Sequence, residues 1–366
     1  VLIEVDASAI DDALAGSTRS CECIENLLRA HRAGKHVVCL DLEQVRRLET
    51  IATAFSLPAR GALLQVRWRE NEIRGLRDRV RWRMRVGLGP TFTGAAVTRA
   101  GKEIIHAHLH HFHDDERSGR SVMLGENLTD AALYVALGKA FAAASRWQAQ
   151  LAFEERLGGG DTTARVFDQL VADGKIALAI VDSDRRHPGG PIGGTAAKLS
   201  PAPESALQHV HVLHVRFAES LITSAVYREA FAGERNKLTA LDELMQAETM
   251  PSAHAWREHA ELKHGIKLFQ VQAMPAGPEA TFWSSVAVDL QRDQCRQAQP
   301  CTTSQDCRCY VTDRLGKDAL ELVVAWLKPR DPRRNARLLG IATNPAIADL
   351  CEKILAWGLA LAARPA

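Results

Sequence analysis

Ser121-Val-Met-Leu-Gly-Glu126 runs straight into Asn127-Leu-Thr-Asp130, and further along the chain Ile176-Ala-Leu-Ala-Ile-Val-Asp182-Ser-Asp184 repeats the pattern of an apolar run that ends in acid. In an open α/β sheet the carboxyl ends of parallel strands lie along one edge, which predicts a crevice shared by Glu126, Asp182 and Asp184. Hard oxygen donors of this kind suit Mg²⁺ or Mn²⁺. A metal held there together with phosphate oxygens would polarise a phosphodiester and orient a water or a sugar hydroxyl for in-line displacement. The chemistry suggested is phosphoryl transfer.

Over roughly residues 118–225 these motifs resemble the Toprim domain, the catalytic module of topoisomerases, DnaG-type primases and the nucleases of the OLD and small RNA-maturation groups. That family ends its first strand in Glu, places an Asp one helical turn later and ends its third strand in Asp-x-Asp. Glu126, Asp130, Asp182 and Asp184 stand at those places. Leu157-Gly-Gly-Gly-Asp161-Thr-Thr, turning into the helical Ala164–Val171, fits the intervening βα unit, and Val210–Phe217 fits a fourth strand leading to Glu219. Asn127 stands where the family commonly has Gly, and Asn also tolerates unusual backbone angles.

The resemblance implies a Rossmann-like parallel sheet in the centre of the chain and a metal-dependent nuclease. Glu126 is then a metal ligand or general acid/base, Asp182 and Asp184 hold Mg²⁺ or Mn²⁺, and Asp130 supports the first acid or a second ion. After the aspartates, Arg185-Arg-His187-Pro-Gly-Gly-Pro-Ile-Gly-Gly194-Thr-Ala-Ala-Lys198 is a basic, glycine-rich loop. Its glycines allow close approach to phosphate, and Arg185, Arg186, His187 and Lys198 can offset transition-state charge. The loop lacks the G-x-x-x-x-G-K-[ST] order of an ATP-binding P-loop, so any ATPase or sensor activity is expected from a partner subunit. Stand-alone proteins of this resemblance look like parts of bacterial anti-phage systems. The competing reading is a non-catalytic nucleic-acid or effector-binding subunit of such a complex. Tyr134, Tyr227 and Tyr310 are the only tyrosines, and none sits in a topoisomerase-like context.

With 46% hydrophobic and 25% charged residues and no apolar run long enough to span a bilayer, the composition predicts a soluble, cytoplasmic protein without membrane partners. Val1-Leu-Ile-Glu-Val-Asp6 carries acids where a signal peptide would not. A net charge of +2 requires that any affinity for DNA or RNA come from local clusters. One cluster lies in residues 60–85, with nine arginines against three acids. In Arg79-Val-Arg-Trp-Arg-Met-Arg-Val86 the period of two puts Arg79, Arg81, Arg83 and Arg85 on one face of a strand, a ladder able to track phosphates. Val66-Arg67-Trp68-Arg69 repeats it on a small scale.

The first half also reads as an α/β domain: a strand ending at Asp6, a helix over Cys23–His31, a strand over Gly34–Asp41 and a helix over Leu42–Ile51. Its opening resembles a PIN-like nuclease domain, which implies Asp6 and Asp41 as acids of a second site. His106, His108 and His110 alternate on a predicted strand, either as transition-metal ligands or as a polar face. His209, His211 and His214 fall in the fourth strand, where packing is their expected role. Cys295, Cys301, Cys307 and Cys309 are spaced x5, x5, x1, compatible with a structural Zn²⁺ or with unligated thiols.

Together these readings predict an α/β protein in three parts: an accessory domain over residues 1–115, a Toprim-like catalytic domain over 116–230 and a mainly helical region over 231–366. In the last part helices are expected at Ala232–Met245, Asp318–Leu327 and Asn344–Gly358, where Asn344 caps, Pro345 opens and Gly358 stops the final helix. An oligomer or multi-protein complex is the expected assembly.

Overall fold

The period-two alternation around Trp82, Met84 and Val86 places those side chains toward a core and Arg83 and Arg85 on the opposite face of one strand of a five-stranded sheet. The computed structural model describes residues 1–94, 96–99, 101–200, 207–297 and 307–362. Its first compact unit comprises Val1–Ile180, Pro201–His211 and Asn344–Ala366, and its second comprises Val181–Ser200 and Val212–Thr343.

The first unit opens with β1 (Leu2–Val5), α1 (Ala7–Leu14), α2 (Thr18–Arg32), β2 (Val37–Cys39), α3 (Leu42–Glu49), α4 (Leu57–Trp68), α5 (Glu70–Arg79), β3 (Trp82–Gly87), β4 (Ala96–Arg99) and β5 (Lys102–His108). The strand order is β2-β1-β3-β5-β4, parallel except for the antiparallel β4. Asp6 and Asp41 close their strands by capping the next helices: Asp6 accepts the Ser8 N–H, and Asp41 forms a capping box with Gln44. Such caps each contribute about 1 kcal/mol.

The unit continues with β6 (Ser121–Gly125), α6 (Leu128–Ala144), β7 (Gln150–Leu151), β8 (Phe153–Leu157), α7 (Thr163–Ala172), β9 (Ala177–Val181) and β10 (Gln208–Val212). A second sheet has the order β10-β9-β6-β8, with β6 parallel to both β8 and β9. Every residue of β6 and β9 is buried, which explains why both read as continuous apolar runs: parallel strands covered on both faces have no polar side. Each fully buried Leu, Ile or Val there stabilises the fold by roughly 1.5–3 kcal/mol. The fourth strand is shorter than the sequence predicts, ending at Val212 rather than Phe217.

The second unit is mainly helical, with α8 (Gly194–Leu199), α9 (Ser224–Ala230), α10 (Arg235–Thr249), α11 (Leu268–Gln272), α12 (Pro278–Asp289), α13 (Ala319–Leu327) and α14 (Pro332–Leu338) beside the short antiparallel pair β11 (Ile266–Lys267) and β12 (Tyr310–Thr312). Back in the first unit, α15 (Pro345–Gly358) starts as predicted, with the Asn344 side chain accepting the Ala346 and Ile347 N–H groups, and runs into β13 (Leu359–Ala360), which pairs with β7. Among the described residues no helix is long and apolar enough to cross a membrane.

Candidate functional site

In the second unit, Asp182, Ser183 and Asp184 follow the last residue of β9 and are held by three separate devices. Asp182 is buried and its Oδ1 accepts the Ala218 N–H at 3.0 Å. The Ser183 hydroxyl donates to the Val215 carbonyl at 2.7 Å. Asp184 has φ +54°, a left-handed conformation that Asp tolerates better than most residues, and its N–H bonds the Arg216 carbonyl. These bonds turn the chain sharply after the strand and present the Asp184 carboxylate.

That carboxylate lines a cleft of about 390 Å³ together with Arg186, His187, Gly193, Gly194, Arg216 and Glu279. Gly193 is required by close approach, because a Cβ there would collide with the Asp184 carboxylate. The loop backbone is pinned by the His259 Nδ1–H donating to the Arg185 carbonyl at 3.0 Å and the Trp283 indole donating to the Arg186 carbonyl at 2.8 Å. Arg186 pairs loosely with Glu279 at 3.8 Å, and Arg216 pairs with Glu261 at 3.4 Å. Arg216 Nε is buried without a hydrogen-bond partner, while its two terminal nitrogens meet the His259 carbonyl at 3.3 Å and Glu261. An unpaired buried donor is costly, by about 1–3 kcal/mol, unless a ligand or water answers it. Lys198 lies on α8 and is exposed, outside the residues that line the cleft.

In the first unit, Glu126 follows β6 and is partly exposed. Its carbonyl accepts the Gly159 and Gly160 N–H groups, so the glycine turn foreseen between the strands packs on the Glu126 backbone. Gly158 allows this approach, since a Cβ there would strike Thr163 and come within 2.9 Å of the Gly125 carbonyl. Asn127 caps α6, and Asp130 completes a capping box by accepting the Asn127 N–H at 3.2 Å. Asp130 is only 3% exposed, so its carboxyl does structural work at the helix start.

The arginine ladder is dispersed. Arg79 ends α5 rather than lying on a strand, donates to the Ser145 carbonyl and stacks over Trp147 at 4.2 Å. Arg81 pairs with Asp349 at 2.7 Å, Arg83 with Glu4 at 2.8 Å and Arg85 with Asp6 at 2.6 Å. Val66–Arg69 falls at the end of α4, so its alternation is not that of a strand. Burial alone would raise the Asp6 carboxyl, but Ser8 and Arg85 together hold it below the usual range. Asp6 and Asp41 are thus occupied as helix caps. His106 stacks on Phe92, His108 ends β5 and accepts the His110 N–H, and His110 lies beyond the strand in a short 3₁₀ turn. His209 packs between the rings of Trp82 and Trp357, and burial pulls its pKa down to about 4.

In the second unit, Cys295 and Cys309 place their sulfurs 3.7 Å apart, and Cys307 is buried. Cys301 lies outside the described residues. Among the described residues no three His, Cys, Asp or Glu side chains form a ready metal group. Mg²⁺ is commonly held by one or two carboxylates, with waters and substrate phosphate completing its shell; Asp184 lines the cleft and is a chemically fitting donor, whereas Asp182 is buried, bonded to the Ala218 N–H and outside the lining residues. No family model matches the chain, and no curated protein or solved structure gives a significant match.

Arg216 and Glu279 escaped the sequence reading. Arg216 belongs to a segment that reads as strand, and Glu279 sits in the first turn of α12 with no motif around it.

Proposed function

We propose that the protein is a metal-dependent nuclease of Toprim-like type, acting on phosphodiester bonds of DNA or RNA. The observation that carries this reading is the cleft of the second unit, which the Asp184 carboxylate lines together with Arg186, His187 and Arg216. A carboxylate beside several cationic donors is what a phosphoryl centre needs: one part binds a divalent cation, the other binds the equatorial phosphate oxygens.

Asp184, with Asp182 beside it in sequence, would hold Mg²⁺ or Mn²⁺. The bound ion would lower the pKa of water and stabilise charge on the phosphate. Arg216 and Arg186 would bind non-bridging oxygens, with the guanidinium fork setting orientation. His187, which donates from Nδ1 to the Pro188 carbonyl at 2.9 Å, would present Nε2 as an acceptor for the proton of the attacking water. The step would be attack of the water oxygen on phosphorus as the P–O bond to the leaving sugar breaks, the water's proton passing to His187 Nε2 and the leaving oxygen taking a proton from solvent.

The test is cleavage of labelled single- and double-stranded DNA and RNA by wild type and Asp184→Asn, with Mg²⁺, Mn²⁺ or EDTA. Asn keeps the left-handed backbone available and removes the charge, so loss of metal-dependent cleavage without unfolding supports the site. Binding without cleavage under every condition would instead favour a non-catalytic nucleic-acid-binding subunit.

A further inference from the structure

A second basic cleft lies in the second unit, of about 400 Å³, lined by Asn236, Lys237, Lys263, His264, Arg314 and Lys317 with Ala240, Leu315 and Gly316. Its lining contains four permanent cations and no carboxylate. Arg314 and Lys317 are exposed, whereas Lys237 is fixed by Asp318 at 2.5 Å and Lys263 by Glu219 at 3.1 Å. Gly316, at φ +97°, brings the loop backbone against Lys237, whose ammonium donates to the Leu315 carbonyl at 3.2 Å.

This cleft is joined to the Asp184 cleft by side chains that belong to both surroundings. Arg216 stacks on Phe217 at 4.8 Å, and Lys263 approaches the same ring at 5.5 Å. Glu261 links Arg216, at 3.4 Å, with His264, at 3.5 Å. Contacts thus run from Arg216 through Phe217 and Glu261 to Lys263 and His264, which line the second cleft with Lys237, Arg314 and Lys317. Arg186, Arg216, Lys263 and Lys237 each face one carboxylate, whereas Arg314 and Lys317 form no ion pair among the described residues, so these two carry the charge left for a polyanion, and a nucleic-acid backbone supplies regularly spaced phosphates with little demand on sequence.

We propose that this track is the docking surface for a single-stranded nucleic-acid backbone that enters the Asp184 cleft, so that Arg314 and Lys317 bind phosphates remote from the one at Asp184. The identity of the polyanion rests on the nuclease reading, and the binding itself does not require cleavage. It moves the nucleic-acid contact away from Arg79, Arg81, Arg83 and Arg85, each of which already has a partner in the first unit, to Arg314 and Lys317, which form no ion pair among the described residues.

The experiment is fluorescence anisotropy of a labelled single-stranded oligonucleotide with the full chain in EDTA, over a salt series. Each phosphate contact contributes about 0.7 to the slope of log K against log salt for a single strand. The Arg314→Gln/Lys317→Gln variant is expected to bind at least about tenfold more weakly and to lose roughly 1.4 from that slope. Arg81→Gln should match wild type. Both substituted residues are exposed, and unchanged circular dichroism confirms that the variant is folded. Equal affinity and slope for the double variant, a loss confined to Arg81→Gln, or no binding by wild type would each overturn the proposal. Binding that follows the prediction with no cleavage under any metal would sustain the track while removing the nuclease reading.

Discussion

The Asp184 carboxylate occupies the space that a side chain on Gly193 would need. The relationship ties the last residue of the Asp-Ser-Asp turn to the end of the glycine-rich loop, whose Gly193 N–H bonds the Ser183 carbonyl at 2.8 Å. A methyl group at 193 must push the carboxylate or the loop aside. Gly193→Ala is therefore expected to keep the fold and lower cleavage by about 10²-fold, the scale on which a displacement of an ångström acts. Steady-state rates beside a thermal melt check this. A melt unchanged to within a degree or two together with full activity would mean that the carboxylate has no role.

Two glycines of the first unit should respond in opposite directions to the same substitution. A Cβ at Gly125 would lie 2.7 Å from the Ala131 nitrogen and 2.8 Å from the Asn127 carbonyl, both backbone atoms that cannot turn away. Gly125→Ala is expected to destabilise by about 1–3 kcal/mol through overpacking. Gly75 lies within α5 with nothing near its Cβ position, so Gly75→Ala should stabilise by about 0.5–1 kcal/mol through helix propensity. Urea titrations of the two variants, compared at equal m-value, decide the signs.

Stability should fall in mild acid because of buried neutral histidines. His31 accepts the Val38 N–H at 3.1 Å through Nδ1, and burial, followed by the charge of Arg69, lowers its pKa from 6.5 to about 4. His36 shifts in the same direction, again chiefly through burial. Between pH 4 and 6.5 the unfolded chain binds protons that the folded chain refuses, so stability is fully present above about pH 6.5 and drains away as pH falls toward 4. For His31 the total is roughly 3 kcal/mol. His31→Gln retains an acceptor for Val38 and removes the titration. Denaturation midpoints measured from pH 7.5 to 4.5 should thus slope less steeply in the variant than in wild type, and parallel slopes would refute the assignment.

What the sequence disclosed followed from how local each signal is. Apolar runs such as Ala177–Val181 carry their environment in their own composition, so β6 and β9 were legible, as was the cap at Asn344, which needs only three neighbouring residues. Arg79 was misplaced because Arg-Val-Arg-Trp continues the strand's alternation backward into the last turn of a helix, and no breaker marks the junction. The fourth strand was drawn too long for a similar reason, since Leu213 and Val215 are buried without being in the ladder. Nothing local reveals that Glu279 and Arg216 line one cleft, because that juxtaposition depends on how α12 packs. Asp130 illustrates another limit: the spacing that places an acid one turn after Asn127 serves a capping box as well as a metal, and the structure uses it for the former.

The packing of α15 on α6 depends on Gly138, whose Cβ position lies 2.5 Å from Ile354 Cγ2 and 2.7 Å from Leu151 Cδ1. Ile354 is fully buried, so its side chain has no solvent to move into, whereas Leu151 is half-buried. Gly138→Ala should therefore cost about 1–3 kcal/mol despite the better helix propensity of alanine, because the collision outweighs a gain of about 1 kcal/mol. Ile354→Leu removes the branch that the new methyl strikes and by itself should cost less than about 1.5 kcal/mol. If the close approach is the cause, the double variant is more stable than the two single losses predict, with a coupling of about 0.5–3 kcal/mol. Chemical denaturation of the four proteins measures that coupling directly. Strict additivity would show that Gly138 is needed for some property of α6 itself rather than for its contact with α15.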